Sequence, residues 1–124
     1  MRKLVGGEWA ARARVQLSVG GAGSGAPLHF HKAAANTLLY GRKAWWLLPP
    51  RDAVYSATPV AQWARGGGPE ALRAAGRTVL RCVQRPGDVL WVPDYWGHAV
   101  LNLVPSVAVA TEVGTPRTLF QFAF

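Results

Sequence analysis

The sequence predicts a small all-β domain, a jelly roll or cupin-like barrel with one short helical insertion. Three observations carry this reading. About eight short strand-like runs are punctuated by glycine and proline turns; one stretch, residues 51–76, has a helical pattern instead; and all three histidines fall in or beside strand-like runs. A chain of 124 residues suits one domain with one modest core, and with half its residues hydrophobic a packed fold is expected over residues 1–124.

In chain order, Ala13 to Val19 alternates apolar and polar residues and reads as a strand. The run Gly20-Gly21-Ala22-Gly23-Ser24-Gly25 is a loop. Its glycine spacing is close to a dinucleotide fingerprint, but it leads into Pro27 and a His-x-His strand rather than opening a helix, so that reading fails. Ala26 to Lys32, Thr37 to Tyr40 and Lys43 to Leu48 follow as strands, with Gly41-Arg42 as a tight turn. Pro49-Pro50 ends the last of these. Ala57 to Arg65 and Pro69 to Ala75 read as short helices split by three glycines, the second with proline at its start. Thr78 to Gln84, Asp88 to Val92, Ala99 to Val104, Ser106 to Val113 and Thr118 to Phe124 complete the strands, and Arg85-Pro86-Gly87-Asp88 has the residues of a tight reversal.

No apolar run approaches the roughly 20 residues of a membrane span. Residues 1–13 carry Arg2, Lys3 and Glu8 and lack an apolar signal region, so no signal peptide is expected in this chain. Net charge is +8, yet the arginines are scattered. Arg73, Arg77, Arg81 and Arg85 stand at four-residue steps, but Gly76 and Thr78-Val79-Leu80 interrupt any helix that would align them, which favours a solvated basic surface over a nucleic-acid site. One cysteine, Cys82, excludes an intrachain disulfide and a thiolate cluster, and its strand context suggests a packed thiol.

Chemistry concentrates at the histidines. Side chains at i and i+2 of a strand share a face, so His29 and His31 project together, and His98 from a distant strand can complete a triad. Three neutral imidazoles suit iron, zinc, copper or nickel and leave positions open. The competing reading is three separate, satisfied polar groups. Parity also puts Asn102 on the face of His98, either orienting a ligand or satisfying backbone where the strand bends. Lys43 shares a face with Trp45 and Leu47; facing inward it requires an anion, facing outward it requires nothing. Trp45, Trp46, Trp91 and Trp96 supply bulk for the core, and Tyr40 and Tyr95 read as wall. A Ser-His-Asp site would dismantle the histidine set, and the six acidic residues lie mostly in turns or flanks.

The segments Gly23-Ser24-Gly25-Ala26-Pro27-Leu28-His29-Phe30-His31, Tyr40-Gly41-Arg42-Lys43-Ala44-Trp45, Pro86-Gly87-Asp88, Pro93-Asp94-Tyr95-Trp96-Gly97-His98 and Leu101-Asn102-Leu103 together resemble a JmjC domain, over about Val15 to Val113. The branch most similar is a divergent one of the endoplasmic-reticulum lumen, so the resemblance admits that compartment while the residues themselves name none. The resemblance implies a double-stranded β-helix that binds Fe(II) and 2-oxoglutarate and hydroxylates or demethylates a protein or peptide. It places His29 and His98 on metal-ligand positions and Lys43 on the position that pairs with the distal carboxylate of 2-oxoglutarate, with Asn102 as a further cosubstrate-site candidate. His31 replaces the family's usual Asp or Glu ligand and raises the net charge of an Fe(II) site from +1 to +2. Ala26 replaces a frequent threonine. The stretch before Lys43 is one residue short, so Asn36 is not expected on the family's cosubstrate asparagine. The alternative function is a non-catalytic JmjC-like interaction module with weak or no metal binding. Flanking strands that such domains use for support are expected to be missing at the N-terminus.

Overall fold

The computed structural model describes residues 14–112. Within them, eight strands form two four-stranded antiparallel sheets. They are β1 (Arg14–Gly20), β2 (Gly25–His29), β3 (Ala34–Tyr40), β4 (Lys43–Leu48), β5 (Leu80–Gln84), β6 (Val89–Val92), β7 (Gly97–Asn102) and β8 (Ser106–Glu112). One sheet runs β1-β8-β3-β6 and the other β2-β7-β4-β5. Except for β4 and β5, which pair within one sheet, successive strands alternate between sheets, as in the expected jelly roll. A 3-10 turn (Pro50–Asp52) and two short helices, α1 (Val60–Arg65) and α2 (Gly68–Ala74), form the insertion between β4 and β5. Arg73 lies in α2, Arg77 in the following loop, Arg81 in β5 and Arg85 in a turn, so they share no helix face. The sequence-predicted strand over Thr118–Phe124 lies outside the described residues.

Several boundaries differ from expectation. β2 stops at His29 rather than Lys32, so His31 lies beyond the strand. β3 begins at Ala34, three residues before the expected Thr37. β7 starts at Gly97 and ends at Asn102, which leaves Val104 past the strand and 40% exposed. In each case pairing partners set the limits: β7 is flanked by β2 and β4, and its register with them runs from Gly97 to Asn102.

The β2-β7-β4-β5 sheet packs Leu28, Ala44, Trp46, Leu48 and Ala99 against Val60 of α1 and against Val79. Trp63 meets Trp46 edge to face at 5.5 Å, an arrangement that favours aromatic pairs. On the opposite face Trp45, Val92 and Val100 form a second cluster, joined by Cys82 and Trp96. Burial pushes the Cys82 thiol up from its ordinary value, consistent with a packed residue. Trp91 departs from its expected core role. It is 51% exposed on the outer face of the other sheet, because its register partner Ala35 points outward as well.

That other sheet has inverted polarity. Gln16, Ser18, Asn36 and Glu112 point into the barrel, whereas Val15, Leu17, Val19 and Val89 face outward. A sheet over a dry core shows the reverse alternation, so the interior here is built to hold polar groups.

Close approaches fix the strands at the site. Gly41 adopts φ +96° in the β3–β4 turn, where a side chain would strike Pro105 and Ser106. At Gly25 a Cβ would overlap the carbonyl oxygen of Val100 on the neighbouring strand. Gly25→Ala therefore forces β2 away from β7 and should lower stability by about 1–3 kcal/mol in a denaturant titration; an unchanged midpoint would show that the strands are not held this closely.

Candidate metal centre

The three histidines converge. His29 ends β2 and is the register partner of His98 on β7, which brings their ring centroids to 4.1 Å. His31, just past the strand, lies 5.2 Å from His29 and 4.8 Å from His98 by ring centroid. One ligand nitrogen from each falls within 4.8 Å of the others. One ion with metal–nitrogen bonds of about 2.1 Å closes this set with small side-chain adjustments.

The backbone fixes which nitrogen of each ring carries a hydrogen. Nδ1 of His29 bonds the Pro27 carbonyl at 2.7 Å, Nδ1 of His31 the Lys32 carbonyl at 2.7 Å, and Nδ1 of His98 the Trp96 carbonyl at 2.9 Å. A carbonyl only accepts, so each Nδ1 carries a hydrogen and donates, which leaves Nε2 as the nitrogen each ring can offer a metal. Burial disfavours the imidazolium of His29, and repulsion from His31 adds to that. His98 is pushed down to about 4, by burial first and by His29 second. The neutral form that burial favours at His29 and His98 is the one a metal requires.

The histidines sit at one side of a cavity of about 570 Å³ between the sheets, lined also by Ser18, Asn36, Lys43, Trp45 and Asn102. Lys43 and Asn102 are register partners on β4 and β7, so parity turns both inward. Lys43 is only 4% exposed. Its Nζ donates to Ser18 Oγ at 3.4 Å, and among the described residues no carboxylate lies within ion-pair distance of it. Burial lowers its affinity for the proton, the signature of an ammonium lacking an anion. The inward alternative from sequence is therefore the one realised.

Asn102 turns inward as parity requires, but its amide bonds a side chain and not the backbone. Its Nδ2 donates to Ser24 Oγ at 3.0 Å, anchoring the β1–β2 loop, while its Oδ1 is buried without a partner. Asn36 was not expected at the site, yet it lines the cavity and also buries an unpartnered Oδ1. The reason is the early start of β3, which puts Ala34, Asn36 and Leu38 on the inward face. Gln84 is a further residue that strand patterning did not single out. It accepts from Trp45 Nε1 at 2.9 Å and donates through Nε2 to the Asn36 carbonyl at 2.9 Å, tying the two sheets together behind the site. Tyr40 is 65% exposed on the outside of the barrel.

Among the described residues no helix is long and apolar enough to cross a membrane. Residues 16–113 match the family described as JmjC domain, hydroxylase. JmjC domain-containing protein 8 of Homo sapiens is 41% identical over 100 residues, covering 79% of this chain and 37% of that protein. The lysine-specific demethylase JMJ21 of Arabidopsis thaliana is 36% identical over 111 residues, covering 75% of this chain and 12% of its own length. The bifunctional arginine demethylase and lysyl-hydroxylase psr-1 of Caenorhabditis elegans is 32% identical over 112 residues, covering 73% and 27% respectively. The chain thus spans little more than a third, or less, of these curated relatives. With the two-sheet barrel, the converging histidines and a match across most of its length, this chain belongs to the JmjC-domain family.

Proposed function

We propose that this domain holds Fe(II) through His29, His31 and His98, binds 2-oxoglutarate through Lys43, and hydroxylates a side chain of a protein or peptide. The single observation that carries the reading is the pairing of three Nε2 lone pairs aimed at one point with a buried ammonium that lacks an anion, both on one cavity. Relatives that are demethylases or hydroxylases of lysine and arginine support the reaction class. Bound there, iron and 2-oxoglutarate supply oxidation by O2, one oxygen atom entering the product side chain and the other the succinate formed with CO2.

This chain's own residues do the rest. Burial holds His29 and His98 toward the neutral form, and with each Nδ1 donating to a carbonyl the Nε2 atoms are the ones turned to a metal. Lys43 gives a carboxylate a charge-assisted hydrogen bond inside a cavity with little competing water. Asn36 and Asn102 add amides that can turn either their carbonyl or their NH2 to a bound molecule. Trp45 walls the cavity 6.1 Å from His98 by ring centroid.

A second reading, a JmjC-fold interaction module without turnover, is favoured by one observation: the outward apolar residues Val15, Leu17, Val19, Val89 and Trp91, each more than half exposed, share a face suited to a partner.

Metal analysis of purified protein loaded with Fe(II) separates the two. Hydroxylase function predicts one metal per chain, weakened but measurable metal binding in His31→Ala, and succinate release with a peptide pool; a chain that takes up no metal would sink it. Lys43→Met should weaken 2-oxoglutarate binding about 10- to 100-fold while leaving metal stoichiometry intact. Stability of the metal-free domain should depend on pH in a defined direction. The folded pKa of His98, about 4, lies below its ordinary 6.5, so the unfolded chain takes the proton first. Its contribution is complete above 6.5 and is lost as pH falls to about 4, by about 3 kcal/mol. Urea titrations across that window should show the loss, and His98→Gln should flatten it.

A further inference from the structure

We propose that Asp94 is a positioning residue for the metal centre, acting through the backbone of residues 31–33 to hold His31 in place. This rests on the metal-binding reading above. His29 and His98 lie within the β2–β7 ladder, which fixes their backbone. His31 lies beyond the end of β2 and three residues before β3 begins, so no ladder fixes it.

Two contacts from the β6–β7 loop take over that task. Asp94 Oδ1 accepts the Ala33 N–H at 2.8 Å, and the Tyr95 N–H donates to the His31 carbonyl at 2.8 Å. The same loop leads straight into His98 and supplies, from Trp96, the carbonyl that holds the His98 ring. One strap thereby sets the distance between two ligands that come from separate parts of the chain. Its backbone is constrained to do so. Tyr95 has φ +61°, a left-handed conformation uncommon outside glycine, and such conformations persist where the surroundings over-determine them. Ala33 itself is 1% exposed, so its N–H has no water to fall back on, and removing the Asp94 carboxylate leaves it unsatisfied.

Cobalt(II) binding by the whole chain, followed by its visible absorption, tests the assignment. Asp94→Ala should weaken binding about 10- to 100-fold and shift the spectrum toward that of His31→Ala. Asp94→Asn retains an Oδ1 acceptor and should bind as wild type does. In a His31→Ala background, Asp94→Ala should cost no further affinity, since its effect runs through His31. An equal loss in both backgrounds, or wild-type binding by Asp94→Ala, overturns the proposal. Wild-type protein that binds no cobalt overturns instead the metal reading on which it rests. Should Asp94→Ala not fold, the unmodified protein decides the matter. Zinc loading should slow hydrogen exchange at the amides of Ala33 and Tyr95, and unchanged exchange there in a zinc-bound protein overturns the strap.

Discussion

Strand β7 is the constraint on which the rest of the site depends. It lies inside its sheet, paired with β2 on one side and β4 on the other. Its register puts His98 opposite His29 and Asn102 opposite Lys43. A slip of one residue would turn His98 and Asn102 to the opposite face and leave Ala99 and Leu101 in the cavity. The register is held by the close approach at Gly25, by the buried faces of Ala44, Leu48 and Ala99, and by the Asn102 amide bonded to Ser24. His29, His98, Lys43 and Asn102 are therefore placed by the same backbone pairing.

The two sheets divide the work between stability and chemistry. β2-β7-β4-β5 builds its core outward, against the helical insertion, and turns its functional residues inward. β1-β8-β3-β6 gives its inner face to small and polar side chains, which opens room for a ligand but removes apolar area from the barrel centre. The helical insertion compensates by burying one face of the first sheet, where Trp46, Trp63, Val60 and Val79 meet. Burial of apolar area is the main favourable term in folding, so a barrel with a polar interior requires such an external core.

A histidine at position 31, where the resemblance implies a carboxylate, would change the electrostatics of the proposed site. On the proposed reading a neutral ligand would leave a divalent metal its full double charge, and the buried Lys43 would add another positive charge to the same cavity. Both favour anionic ligands, and both raise the cost of leaving the cavity without one. Hydrogen bonds from all three Nδ1 atoms to carbonyls oppose that excess by orienting backbone dipoles toward the imidazoles.

Much of this was legible in the amino-acid sequence, because it is carried by period and by turn chemistry. Strict alternation identified β1, Lys43–Leu48 emerged as β4 with no change of boundary, and Pro86-Gly87 marked the β5–β6 reversal. Parity alone paired His98 with Asn102, since a strand side chain must repeat every two residues. Tertiary structure decided the rest. Where β2 ends and β3 begins depends on partners distant in the chain, so the placement of His31 outside the ladder and of Asn36 inside the cavity left no local trace. The direction in which Trp91 and Lys43 face was likewise undetermined, because alternation fixes which residues share a side and only packing against a second sheet decides which side is inside.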